Sequence, residues 1–473
     1  MKLRRLSRNL IGVIALVLTI LTIYITIDLN ILPNKYLFIL IGLELLVIII
    51  PFILVNLKKH HYKKLKILGI IIFVLSIIGN LIASYYLHNT NKFINNGFTG
   101  TYTINTKYYV VASSNDKTES TKSFTKDTTI YYYKYSRSID KAKETLGEYN
   151  YKDTDNVSGS LWQIRKTNSE YLLIAEGNYE YLFESSNLLH KEDFKIIKEF
   201  TVSEIVQRND KIKDVYNIYI AGLDFTGIMR DFNMLVTVNT KTHQVVLTSI
   251  PRDYYIDVPA YNMKDTLMAL GSLDSAVSKE SLEKLFDIEI DYTVNLNTNN
   301  LVDVVDKLGG IEFCSDYDFT TYHALVKGTY DDTKGEKLHV TKGCKTYSGI
   351  EILAIARERM ALPGRDRARQ VNCRKIAISI GKKVASISTL KNYNSVLNSF
   401  DGLYETDMNK KVITNLFKSV LDGNKYEIIE QSVDGTDSIG IGHLGTQDTW
   451  TMKPDMKTVR TASEKIKKIQ SAK

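Results

Sequence analysis

Six of the chain's fifteen arginines lie in one short stretch, RERMALPGRDRARQVNCRK: Arg357, Arg359, Arg365, Arg367, Arg369 and Arg374. Elsewhere the positive charge comes mostly from lysine. The two residues carry the same charge, so charge alone does not account for the switch. Arginine adds a planar fork of donors that grips phosphate or carboxylate through two parallel hydrogen bonds. A solvated basic face would be built from lysine, as in the rest of the chain, so the cluster reads as an anion site. Carboxylates stand where apolar runs begin or end: Asp224 follows IYIAGL and Asp231 precedes FNMLVTVN. Taken singly, each is a turn former. Together, on adjacent strand ends, they suit a magnesium ion, which takes one or two carboxylates and completes its shell with phosphate oxygens and water. Arg252 and Asp253 follow a further apolar run in SIPRDYYIDVP. They form either a buried ion pair or a guanidinium presented to a ligand and oriented by its neighbour. This set suits a diphosphate: a metal neutralises some oxygens and the arginines hold the others and the developing charge. The chain has no Walker loop and no Gly-rich loop before a helix.

The elements that must position these residues begin at Val215. VYNIYIAGLD has a buried-strand pattern, and NMLVTVNTKTHQVVLTSIPRD reads as two strands joined by a polar turn. ESLEKLFDIEIDYTVNLNTNNLVDVVDKLGGIEF reads as helix, strand, helix, strand. Leu301, Val304, Val305 and Leu308 recur at i, i+3, i+4, i+7, one face of a helix. Ser348 is an N-cap for a helix through the first arginines, and a longer helix follows from Ala368. Strands alternating with helices predict an α/β fold, a sheet flanked by helices with ligands at the strand ends. Residues 98–206 are rich in Tyr, Thr, Ser and Lys and read as a small α/β or α+β accessory domain. In it, TGTYTINTKYYVVAS and TTIYYYKYS are expected as strands, SIDKAKETLGEY as a helix, and SGSLWQIRKTNSEYLLIAEGNYEYLFE as strands with turns. Residues 207–214 are the expected linker to a domain spanning 215–473.

Residues 1–90 are a different material. Three apolar runs, about 10–27, 37–55 and 67–87, each match the length that crosses a bilayer core of roughly 30 Å. Lys2, Arg4, Arg5 and Arg8 precede the first, and Lys58, Lys59, Lys63, Lys64 and Lys66 fill the loop before the third. The first loop is nearly neutral. The excess of basic residues places the N-terminus and the second loop in the cytoplasm, and everything after Leu87 outside. Nucleic acid and cytosolic ATP are thereby excluded as partners, and the net charge of +8 is too mild to define a nucleic-acid binder. Glu44, alone in the second span, is expected to make a helix–helix contact. The three cysteines include no CxxC pair, so zinc and redox readings have little support, and a Cys314–Cys344 disulfide is open to an extracellular domain.

The motifs YIAGLD, RDFNMLVTVNTKTHQVVLTSIPRD, DYTVNLNTNNLVDVVDKLGGIEF and GIEILAIARER followed by DRARQ resemble the LytR-CpsA-Psr family of cell-wall enzymes, over roughly Val215 to Ile469. Three spans followed by an accessory domain resemble its CpsA-like, capsule-associated branch. The resemblance implies a membrane-anchored phosphotransferase that moves a glycopolymer, a capsular polysaccharide or a teichoic-acid-like polymer, from a polyprenyl-diphosphate carrier to peptidoglycan. It implies Mg2+ on Asp224 and Asp231, and the diphosphate on Arg252, Arg357, Arg359 and Arg367, with Arg369 and Gln370 near further family positions. Membrane lipid is then a partner too. Asp253 is a candidate base, or a brace for Arg252. The carrier's apolar tail needs a groove, which helices around Leu282–Phe286 and Leu301–Leu308 could line. The chain departs from the family pattern at Met229, where an arginine is usual and Arg230 stands next door, and at Gly364–Asp366, where Arg365 intervenes. A different reading is a non-catalytic polyprenyl-phosphate-binding or envelope-regulatory protein, which the short cytoplasmic parts argue against because they offer no output domain.

Orientation is checked with reporters that work only outside the cell. A fusion after Leu87 should be active and one within residues 58–66 silent; the reverse pattern contradicts the assignment.

Overall fold

The computed structural model describes residues 2–57, 62–185, 189–224, 227, 229–273, 275–326, 334–384, 392–423 and 425–472. Lys58 and Lys59, two of the orienting lysines, lie outside them.

Helices α1 (Lys2–Leu29), α2 (Asn34–Asn56) and α3 (Lys63–Phe98) are each long and apolar enough to cross a membrane. Glu44 does make the expected helix–helix contact. Its Oε2 accepts hydrogen bonds from the Thr19 hydroxyl (3.1 Å) and the Asn80 amide (3.2 Å), one residue from each neighbouring helix. A carboxylate among apolar helices needs such donors to offset its lost hydration. The third helix does not end at Leu87. It continues to Phe98, and this extension carries the C-terminal domain: Phe98 stacks on Tyr404 (5.1 Å between centroids) and the Thr90 and Tyr393 hydroxyls lie 2.5 Å apart.

The accessory region contains β1 (Thr101–Ser113), β2 (Thr129–Tyr133), α4 (Ile139–Leu146), β3 (Asn150–Thr154), α5 (Val157–Thr167), β4 (Tyr171–Ala175), α6 (Glu176–Ser185) and β5 (Phe194–Gln207). Its five strands form one sheet in the order β3-β2-β4-β1-β5. The stretch expected as strands with turns is instead two helices around β4. Asn156 caps the first by accepting from the Gly159 N–H (2.9 Å), and the buried Val157, Leu161 and Ile164 follow helical spacing.

The C-terminal domain runs through β6 (Val215–Leu223), β7 (Arg230–Asn239), β8 (Gln244–Ile250), β9 (Tyr255–Val258), β10 (Met263–Thr266), α7 (Ser275–Phe286), β11 (Tyr292–Asn297), α8 (Thr298–Lys307) and β12 (Ile311–Ser315). It continues with β13 (Phe319–Ala324), β14 (Lys337–Val340), β15 (Gly343–Tyr347), α9 (Gly349–Arg357), α10 (Asp366–Val384), α11 (Tyr393–Ser399) and β16 (Tyr404–Thr406). It ends with α12 (Lys410–Leu421), β17 (Glu427–Ser432), β18 (Gly435–Gly440), β19 (Thr449–Pro454) and α13 (Met456–Ser471). The central sheet is β16-β11-β6-β7-β8-β17, a mixed sheet with β7 antiparallel to both neighbours. Alternate side chains feed opposite faces. Tyr219, Ala221, Leu235 and Val246 pack with α7 and α13, while Ile218, Met234, Val236 and Leu247 pack with α10 and α12. The first core is continuous with that of the accessory region, joining Val157, Leu161 and Leu172 to Leu282, Phe286 and Val459. Leu282, Phe286, Val304, Val305 and Leu308 are thus core residues, not the lining of a tail groove. Cys314 and Cys344, directly paired across β12 and β15, form a disulfide.

Candidate active site

Asp224 ends β6 and closes the turn into β7. Its N–H donates to the Met229 carbonyl (2.8 Å), and its Oδ1 accepts from the Met229 N–H (3.0 Å). The ladder shifts register at this point: Gly222 pairs with Phe232 but Leu223 with Arg230, a β-bulge that leaves Asp231 unpaired in the ladder. Bulges re-aim side chains, and Asp231 forms an ion pair with Arg252 from the loop after β8. Arg252 Nε lies 3.6 Å from Asp253 Oδ1. Arg369, buried on α10, donates to the main-chain oxygen of Asp231 (3.0 Å) and pairs with Asp366 Oδ1 (2.5 Å). Asp366 therefore belongs to the site, although the sequence marks it only as the residue that Arg365 displaces from its glycine. Gln370 is buried one residue on, and its amide reaches Asp366 at 3.5 Å, the long limit of a hydrogen bond.

The arginine-rich stretch is shaped by three local devices. Ser348 caps α9 in a capping box with Glu351, as its position in the sequence predicts. Glu358, between Arg357 and Arg359, is fully buried and accepts the N–H groups of Ala361 (2.8 Å) and Tyr322, which pins the loop after α9. Gly364 and Arg365 are both left-handed (φ 80° and 47°), and this turn absorbs the extra arginine before α10 starts at Asp366.

These elements enclose a cleft of about 490 Å³ whose wall includes Asp253, Arg359, Arg365, Asp366 and Arg367. The six arginines divide. Arg359 and Arg365 make no side-chain hydrogen bond or ion pair with any described residue. Arg367 lines the cleft, but its fork holds Asp434 Oδ1 (2.5 Å) and the Gly435 carbonyl (2.8 Å). Arg357 ends α9 half-buried, outside the set of cleft residues. Arg374 points into the sheet, where it holds Glu430 (2.6 Å), Ser249 (2.7 Å) and Ser432 (3.1 Å) and ties β8 to β17. The departure at Met229 also has a structural outcome. Met229 is buried in the core, and Arg230 turns to a different set of neighbours from Asp231, 6.0 Å from the Tyr219 ring centroid.

The charges are strongly coupled. Burial pushes the Asp231 carboxyl up, but Arg252, Arg369 and Arg359 together bring it below the ordinary carboxylate value. For Asp253 burial wins over Arg252, and its pKa is raised. Arg359 is depressed by the like charge of Arg252 first, then by burial and by Arg369. Asp231 and Asp366 offset part of that repulsion without pairing directly with Arg359; a guanidinium held among other guanidiniums, facing a cleft and making no direct ion pair with a described residue, favours an incoming anion.

Asp224 and Asp231 flank one turn, and Asp231 is held ionised. A pair of carboxylates is the kind of donor a magnesium ion takes when phosphate oxygens and water complete its shell, but both lie outside the set of cleft residues. Among the described residues no group of three or more His, Cys, Asp or Glu side chains could hold a metal without such help.

The fold and site together define a class: an α/β protein with membrane-type helices and an arginine–aspartate cleft beside a mixed sheet. A sequence model of the LytR_cpsA_psr family matches residues 180–467, more than half of the chain, and the chain belongs to that family. The match begins within α6, so it includes the last strand of the accessory sheet. The chain is 28% identical over 260 residues to the polyisoprenyl-teichoic acid–peptidoglycan teichoic acid transferase TagU of Bacillus cereus (strain AH820), covering 53% of this chain and 80% of the relative. It is 28% identical over 281 residues to the corresponding TagT of Bacillus subtilis (strain 168), covering 55% and 81%. Among solved structures, it is similar to B. subtilis TagU, with a TM-score of 0.42 and 24% identity over 55% of this chain and 99% of that one.

If Arg359 receives a phosphate through its fork, charge alone should not replace it. Arg359→Lys should weaken farnesyl diphosphate binding about ten- to a hundredfold, because each hydrogen bond to a charged group is worth roughly 1.5–3 kcal/mol. Titration calorimetry on the full chain reads this directly, and unchanged affinity would mean that the arginine is surface charge.

Proposed function

We propose that this chain is a membrane-anchored phosphotransferase that acts outside the cell, moving a glycopolymer from a polyprenyl-diphosphate carrier onto peptidoglycan. The observation that carries this reading is Arg359: a half-buried guanidinium crowded by Arg252 and Arg369 and open to a cleft, with no direct ion pair to any described residue. Family membership supports the same reading. So do relatives whose names describe transfer of polyisoprenyl-linked teichoic acid to peptidoglycan. The polymer carried here is of that kind, a teichoic-acid-like or capsular glycopolymer.

In this reading Arg359 and Arg365 take the diphosphate oxygens. Arg252 is aimed by Asp231 and Asp253 and takes the developing charge at phosphorus. The acceptor hydroxyl attacks the phosphorus distal to the lipid. A new oxygen–phosphorus bond forms, the bond to the bridging oxygen breaks, and lipid monophosphate leaves. The hydroxyl proton goes to Asp253, whose burial raises its affinity for that proton. Asp224 and Asp231 would hold magnesium, which when bound would neutralise phosphate oxygens and lower the barrier to attack.

The test is turnover of a labelled polyprenyl-diphosphate sugar with and without magnesium. Asp224→Ala and Asp231→Ala should each abolish the magnesium-dependent rate. Wild-type rates in both would remove the metal assignment. The same assay reads the base. A raised pKa at Asp253 means that the base is protonated at low pH and becomes active as pH rises through a value above the usual carboxylate figure of about 4. The acid limb of kcat/KM should therefore lie above that figure and disappear in Asp253→Asn, along with most of the rate. An acid limb that survives in Asp253→Asn assigns the base elsewhere.

A further inference from the structure

Strands β18 and β19 form a two-stranded ribbon in which Ile439 pairs with Trp450 and Asp437 with Met452. These four side chains share one face. The ribbon is fixed at both ends. At its base, Arg367 holds Asp434 and Gly435, the Met452 N–H donates to the Asp253 carbonyl (2.8 Å), and the Tyr254 hydroxyl donates to the Asp434 carbonyl (2.5 Å). At its far end, Leu444 is buried in the same core as Val157 and Leu161 of the accessory helix α5. A ribbon so tethered is a rigid platform: Met452 is buried at its base, while farther along the same face Ile439 is 68% and Trp450 45% exposed.

Trp450, Asp437 and Met452 line the same cleft as Arg359 and Arg365. An acyl or polyprenyl chain would gain nothing from a carboxylate and guanidiniums on the same wall. A pyranose uses all of them: its C–H face lies on an indole ring, its hydroxyls donate to a carboxylate, and the phosphate it carries meets the arginines. We propose that Trp450 and Asp437 form the subsite for the first saccharide of the donor, the sugar joined to the diphosphate. This rests on the diphosphate reading of the cleft. It also gives the accessory region a task, since α5 helps to hold the platform.

The experiment compares two probes on the full chain in detergent: farnesyl diphosphate, and farnesyl-diphospho-N-acetylglucosamine. Wild type should bind both, the sugar-bearing probe more tightly. Trp450→Ala should weaken the sugar-bearing probe about tenfold and leave farnesyl diphosphate within about twofold, while Trp450→Phe keeps most of the difference. Asp437→Asn should reduce the same difference. Retained farnesyl diphosphate binding by each variant reports that the cleft is folded. Equal weakening of both probes by Trp450→Ala, or of neither, overturns the subsite. Failure of wild type to bind either probe overturns the diphosphate reading and the subsite with it.

Discussion

Like charges cannot lie close together below a protein surface unless something holds them there, and the molecule meets this constraint with aspartates. Arg252, Arg359 and Arg369 lie close enough to affect one another, and Asp231, Asp253 and Asp366 are set among them. Each aspartate arrives from a different element: the β6–β7 bulge, the loop after β8 and the first turn of α10. The mixed sheet brings β7 and β8 together, α10 lies across both, and the buried Glu358 fixes the loop between α9 and α10. After this mutual neutralisation Arg359 and the more exposed Arg365 line the cleft without a direct ion pair to any described residue. The proposed preference for an anion rests on that imbalance, not on the net charge of the chain.

The same site is tied to two other parts of the molecule. The C-terminal domain is held on the ends of the apolar helices by the Phe98–Tyr404 stack and by a Lys35–Asp422 ion pair (2.7 Å). The accessory sheet shares a hydrophobic core with α7 and α13. Arg137 from the accessory region adds hydrogen bonds to the carbonyls of Leu273 (3.1 Å) and Gly271 (3.2 Å). A substrate that is anchored in a bilayer and reacts above it needs a cleft at a set position relative to the helix ends, and these contacts supply one.

Much of this is legible in the sequence, because the signals are local. The alternation of apolar residues gives β6, β7 and β8; Ser348 gives the start of α9; and the change from lysine to arginine marks the stretch that lines the cleft. Asp224 and Asp231 stand at strand ends in the fold, as they do in the sequence. What is not legible depends on which way a side chain turns. Arg374 is spent on the sheet and Arg367 on the base of a ribbon, and no feature of their spacing separates them from Arg359. Asp366 is hidden for the same reason, since its value lies in its contact with Arg369. In the accessory region, aromatic residues suggested strands for α5 and α6, but capping by Asn156 and burial of Val157, Leu161 and Ile164 outweigh that local preference. Leu282, Phe286, Val304, Val305 and Leu308 are apolar for packing and not for a lipid tail.

In the proposed reaction the cleft breaks the bond between the two phosphates of a lipid-linked donor. The fate of each phosphorus tests it most directly, using donor with the distal phosphorus labelled, full-length protein and isolated peptidoglycan. The label should leave the lipid and appear in the peptidoglycan-linked product, with unlabelled polyprenyl monophosphate as the other product. Label retained on a released polyprenyl diphosphate would mean that the sugar–oxygen bond breaks instead, and would contradict the assignment of the arginine cleft as a phosphotransfer site.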